Sequence, residues 1–114
     1  MMVQITWQPG ALLFPGSFKK MKNIKEILKT EDVTVVDVRN HWEYDEGHVN
    51  NAVNIPLNEI PARIEEFRKL NGPVILYCRS GNRSGAAVNL LNLAGIPDVY
   101  NGGGIFDMQK ITVN

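Results

Sequence analysis

The sequence predicts an α/β domain with a central, mostly parallel sheet flanked by helices, and three observations carry that expectation. Short β-branched or apolar runs alternate with segments of helical spacing, the pattern of βα units. One run, Pro73-Val74-Ile75-Leu76-Tyr77, is apolar throughout, as a strand covered on both faces should be. Gly and Pro punctuate the chain between these segments. At 114 residues the chain suits one domain, divided here into an N-terminal extension over residues 1–20 and the domain proper over 21–114.

Val3, Ile5 and Trp7 alternate with polar residues and precede Pro9-Gly10, which predicts an edge strand. Lys19, Lys20 and Lys22 read as a solvated linker. Asn23 and Glu26 have capping-box spacing ahead of Ile24, Ile27 and Leu28, a first short helix. Val33 to Val38 is a buried strand that delivers Asp37 and Arg39 near its carboxyl end. His41 to Glu46 fits one or two helical turns closed by Gly47, and Val49 to Pro56 reads as a turn plus a short strand. Leu57, Ile60, Ile64 and Phe67 share one helix face, with Asn58 as cap, Pro61 in the first turn and Asn71-Gly72-Pro73 as the stop. After the core strand, Ala87, Leu90, Leu91 and Ala94 form the next helical stripe, ended by Gly95 and Pro97. Pro97 to Tyr100 is a further strand, Asn101 to Gly104 a flexible turn, and Ile105 to Lys110 a last helix.

Composition narrows the function. Lys plus Arg number 12 and Asp plus Glu 12, so no basic excess marks a nucleic-acid face. No apolar stretch approaches a membrane span, and the first residues lack the pattern of a signal peptide. The expectation is a soluble cytoplasmic protein without nucleic-acid or membrane partners. Its one cysteine has no disulfide mate, and one Cys with two His offers no zinc-ligand spacing. No metal or cofactor is expected.

Cys78 stands at the carboxyl end of the core strand, where open α/β sheets place their sites. Taken alone, a lone cysteine is more often a buried core residue. The six residues that follow change that reading: Arg79, Ser80, Gly81, Asn82, Arg83 and Ser84 join strand to helix as a glycine-bearing loop. An ordinary thiol is only about 3% ionised at pH 7, so a nucleophilic cysteine needs groups that favour its anion. Inward-pointing amides of the loop, with the start of the next helix, would supply them, and Arg83 could fold back over the loop with a permanent charge. Lowering the thiol by two units takes about 2.7 kcal/mol, within reach of two or three charge-assisted hydrogen bonds. Gly81 and Gly85 would permit the tight turn. Such a cradle suits attack on the outer sulfur of an anionic donor, giving a persulfide, or attack on phosphorus in a phosphate ester. Only four residues separate Cys78 from Arg83, a span that favours a single sulfur over a tetrahedral phosphate.

Cys78-Arg79-Ser80-Gly81-Asn82-Arg83-Ser84 resembles the active-site loop of the rhodanese-like sulfurtransferases, Cys-x-x-Gly-x-Arg-Ser/Ala. Asp37-Val38-Arg39 with Glu43 and Gly47-His48-Val49, Ala52-Val53-Asn54-Ile55-Pro56, and the glycines after Val99-Tyr100 are similar to further segments of that family, in the same order. The resemblance spans roughly Ile24 to Gly104. It departs at Asn51, where the family usually has glycine, and at Ile105 to Met108, which lacks the family's tryptophan. Asn tolerates a left-handed backbone better than other non-glycine residues, so the turn at Asn51 should survive.

The resemblance implies a rhodanese-like fold and a sulfurtransferase, with Cys78 as nucleophile and sulfur carrier. The donor would be a small sulfur anion such as thiosulfate, and the acceptor cyanide or a thiol, including a thiol on a protein. Arg79 to Ser84 would bind the anion, and Asp37, Arg39 and Glu43 would support the site from behind. Arg79 reads equally well as exposed charge or as donor-binding group. Ser80, Asn82 and Ser84 fit ordinary turn and cap roles as well as bonds to sulfur. His48 fits a structural turn, His41 the surface, and Trp7 and Trp42 packing. The alternatives are a sulfur-carrier or adaptor module loaded by a partner protein and, further off, a small cysteine-dependent phosphatase.

Overall fold

The computed structural model describes residues 23–112, so the predicted edge strand at Val3 to Trp7 lies outside the described residues. Among the described residues four strands form one sheet in the order β2-β1-β3-β4, with every pairing parallel. They are β1 (Thr34–Asp37), β2 (Val53–Asn54), β3 (Val74–Cys78) and β4 (Val99–Gly104). The helices are α1 (Ile24–Ile27), α2 (His41–Glu46), α3 (Ile64–Arg68), α4 (Asn82–Leu93) and α5 (Ile105–Thr112). The α/β architecture with a parallel sheet flanked by helices is the one predicted.

Strand β3 shows why its sequence carries no alternation. All five of its residues are buried. Val74, Leu76 and Cys78 face one apolar layer with Val36, Phe67, Ala87 and Leu91, while Ile75 and Tyr77 face a second layer with Ile27, Val49, Ile105 and Met108. Successive strand side chains point to opposite faces, and both faces are covered. Cys78 thus points toward the layer that contains α4, and Tyr77 away from it.

Several local expectations are corrected. The stripe Leu57 to Phe67 is a 3₁₀ helix over Leu57–Arg63 followed by α3, with Pro56 at the leading cap and no side-chain cap from Asn58. Pro61 explains the change: it has no N–H and its ring crowds the carbonyl four residues back, so the tighter winding replaces the α ladder. The segment Asn101 to Gly104 is no flexible turn but the second half of β4, where a register shift opposite Leu76 and Tyr77 sets Gly103 beside Tyr77 and Gly104 beside Cys78. Trp42 is 60% exposed and packs no core. Asn51 does adopt the left-handed conformation, at φ 68°.

Candidate functional site

The site lies where β3 ends. Cys78 is 1% exposed, and Gly81 turns the chain with φ 97°, a value that suits glycine, before α4 begins at Asn82. This reversal brings the Gly81 amide to 3.0 Å and the Ser84 amide to 3.4 Å from Cys78 Sγ, with the Ser84 hydroxyl at 3.4 Å. Burial pushes the thiol up, but the Ser84 hydroxyl and the amides of Ser84, Ser80 and Gly81 outweigh it and hold Cys78 below an ordinary cysteine. Gly85 sits inside α4 rather than in the turn.

The loop is held from the β4 side by glycine contacts. A Cβ on Gly104 would overlap the carbonyl of Arg79, and one on Gly81 would stand 3.4 Å from Gly103 Cα. The bulge in β4 brings bare backbone against bare backbone there. Replacing Gly104 by alanine is expected to destabilise the fold by about 1–3 kcal/mol and to shift Arg79 to Gly81 away from the sulfur. Urea unfolding checks the first effect. Thiol titration checks the second, with the Cys78 pKa rising toward the ordinary value.

Arg83 does not fold over the loop. Its Nη1 donates to Glu43 Oε1 at 2.8 Å and its Nη2 to Glu43 Oε2 at 3.1 Å. Glu43 is 7% exposed and has two oxygens for the planar fork, a match that an open loop cannot offer. The Glu43 Oε1 atom also accepts the Asn40 amide, closing the cap of α2. Hydrogen bonding to Arg83 holds the Glu43 carboxyl down at about 2, against the opposing effect of burial. A depressed carboxylate stabilises the fold above its unfolded pKa, near 4.3, and that contribution disappears as pH falls through the folded value. The stability gap between the wild type and Glu43→Gln should therefore be full above pH 4.3 and close toward pH 2, as urea unfolding across that range would measure.

Asp37 and Arg39 sit behind the loop as a buried pair. Asp37 is fully buried and Arg39 7% exposed; Arg39 Nη2 donates to Asp37 Oδ2 at 2.7 Å and Nε to Oδ1 at 3.0 Å. The Tyr77 hydroxyl donates to Asp37 Oδ2 at 2.8 Å and accepts from the Val49 amide at 3.0 Å. Arg39 Nη2 also donates to the Gly47 carbonyl at 2.7 Å. This network ties β1, β3 and the end of α2 together, without contact to Cys78. Glu43, expected to join it, pairs with Arg83 instead.

Arg79 and Ser80 are exposed at the mouth of the loop, and Asn82 is the exposed first residue of α4. Among the described residues no hydrogen bond or ion pair holds the Arg79 side chain. His48 Nδ1 lies 2.9 Å from the Tyr44 carbonyl and its ring stacks on Tyr44 at 3.7 Å, in a turn rather than at the sulfur. His41, although exposed, bridges Asn54 and Glu59. Among the described residues no three His, Cys, Asp or Glu side chains gather to hold a metal ion. None of the described helices is long and apolar enough to cross a membrane.

The family model for the rhodanese-like domain matches residues 20–110. The chain belongs to the rhodanese-like domain family. A solved relative, a rhodanese with anions from E. coli, is 38% identical with a TM-score of 0.61, covering 66% of this chain and 89% of its own. The tRNA uridine(34) hydroxylase of Buchnera aphidicola is 33% identical over 90 residues, 75% of this chain. This rhodanese-like chain spans only 29% of that relative's length. Protein YqhL of Bacillus subtilis is 32% identical over 108 residues, covering 89% of this chain and 85% of its own.

One residue at the rhodanese-like loop escaped sequence reasoning. Asn101 reaches it from β4, with Nδ2 donating to the Gly81 carbonyl at 3.1 Å and Oδ1 accepting from Ser84 Oγ at 2.7 Å. Its setting before three glycines reads as a turn, and no spacing links it to Cys78.

Proposed function

We propose that this domain transfers sulfane sulfur through a Cys78 persulfide, from a small anionic donor such as thiosulfate to cyanide or a thiol. The observation that carries this reading is the convergence of loop amides on one atom, Cys78 Sγ, at 3.0 and 3.4 Å. Those donors favour the thiolate, which attacks the outer sulfur of the donor; the S–S bond of the donor breaks and its sulfite leaves with the bonding pair. The same amides then face the anionic outer sulfur of the persulfide until an acceptor takes it. The exposed Arg79 guanidinium meets the donor's charge, while Arg83, clamped by Glu43, keeps the loop in shape. A ring drawn this closely around one sulfur argues against the wider cradle of a phosphatase. Wild-type protein treated with thiosulfate should gain the mass of one sulfur and lose it to cyanide. A chain that never gains it would refute the transfer.

A second reading comes from the relatives named as tRNA uridine(34) hydroxylases: the domain acts in modification of a tRNA uridine. Nucleoside mass spectrometry of tRNA incubated with the wild type and Cys78→Ala separates the two. Hydroxylated uridine that depends on Cys78, without sulfur gain on the protein, would favour this reading.

A further inference from the structure

Ser84 stands between two acceptors with a single proton to give. Its hydroxyl oxygen is 2.7 Å from Asn101 Oδ1 and 3.4 Å from Cys78 Sγ, and the residue is fully buried, so water offers no alternative partner. The orientation of the Asn101 amide is settled by its other contacts. Oδ1 accepts the Gly103 amide at 2.9 Å and Nδ2 donates to the Gly81 carbonyl at 3.1 Å; reversed, it would set donor against donor at Gly103 and acceptor against acceptor at Gly81. Oδ1 therefore faces Ser84, and as it has no hydrogen, the Ser84 O–H must donate to it. Toward the sulfur Ser84 then presents only lone pairs. A protonated Cys78 meets them with its S–H. A thiolate would meet them with like charge.

We infer that Asn101 is a positioning residue for the Cys78 proton: it holds the Ser84 hydroxyl away from the sulfur in the thiol and yields it to the sulfur in the thiolate. The proton that leaves Cys78 goes to water or to a base outside the loop. The Ser84 proton stays on its oxygen and only rotates, exchanging a neutral bond to Oδ1 for a charge-assisted bond to Sγ. Asn101 Oδ1 keeps the Gly103 amide throughout, so the acceptor has a partner in either state. The cradle is thus satisfied with sulfur neutral or anionic, and a transfer cycle alternates between the two. The charged groups around it are the Arg83–Glu43 pair, Asp37 and Arg39 behind Tyr77, exposed Arg79, and Asp107, which accepts the Gly104 amide. Substituting Asn101 changes none of them.

The inference rests on Cys78 being the nucleophile of the proposed transfer, yet its test needs no sulfur donor, so the two can fail separately. The single cysteine makes the S–H stretching band of the full chain unambiguous. In the wild type at acid pH the band should lie below that of the unfolded chain, because the thiol donates to Ser84. In Asn101→Leu, and in the smaller Asn101→Ala, the freed hydroxyl turns to sulfur. The band should rise toward the free value and the thiol ionisation constant should increase roughly three- to tenfold. In a Ser84→Ala background the Asn101 effect on ionisation should vanish. A wild-type band no lower than that of the unfolded chain would overturn the inference without any variant. So would a thiol pKa that rises in Asn101→Leu, or an effect that persists without the Ser84 hydroxyl, since either would leave Asn101 only a brace for the loop.

Discussion

Replacing Cys78 by alanine is expected to lower sulfur transfer by at least about a thousandfold, to the background reaction of donor and acceptor in water. The loop amides would remain, but they stabilise an anion that the alanine side chain cannot carry, so binding without a nucleophile leaves no persulfide. Cys78→Ser is the sharper control. A serine oxygen fits the space, yet its proton is held far more tightly than a thiol's, and the amides that assist a partly ionised sulfur cannot ionise an alcohol at neutral pH. Both variants should retain the wild-type fold by circular dichroism and show no sulfur gain by intact mass. Transfer at a tenth of the wild-type rate in Cys78→Ala would place the chemistry elsewhere.

The largest loss of stability is expected at Asp37. Its carboxylate is fully buried and serves Arg39, the Arg39 amide and the Tyr77 hydroxyl. Asp37→Ala strands a buried guanidinium and leaves the Tyr77 hydroxyl without its acceptor. Breaking one side of a buried ion pair costs about 3–5 kcal/mol, a large part of the ~5–15 kcal/mol that holds a domain of this size. Urea unfolding would show it as a fall in midpoint. The double variant Asp37→Ala/Arg39→Met should recover part of the loss, because removing both charges removes the stranded one. Recovery of nothing would mean that the Tyr77 contact, rather than the charge, dominates.

The two effects separate chemistry from support. Cys78 makes no hydrogen bond to the Asp37–Arg39 pair, yet Tyr77 is bonded to that pair and is the residue just before Cys78 in β3. The strand that presents the sulfur on one face is anchored through its other face. A change at Asp37 is thus expected to reach the site as lost fold rather than as altered thiol acidity.

Much of this architecture was legible in the chain. The uninterrupted apolar run of β3 required cover on both faces, and helical stripes on either side supplied it, so a parallel layered sheet followed. A cysteine at the end of that strand, with a glycine three residues on and a helix directly after, specified a turn whose amides point back at the sulfur, because α4 must begin by leaving its first N–H groups unpaired. These are local consequences, set by residues close together in sequence. The rest depends on partners far apart: Glu43 taking Arg83 from forty residues away, the bulge in β4 that turns a supposed flexible turn into a strand edge, and Asn101 reaching Ser84 and Gly81. Hydrogen bonds form wherever packing brings donor to acceptor, and no spacing along the chain records which distant group arrives. Local residues were enough to set a sulfur in a cradle at the end of β3; distant packing chose which side chains hold the cradle and where its one contested proton points.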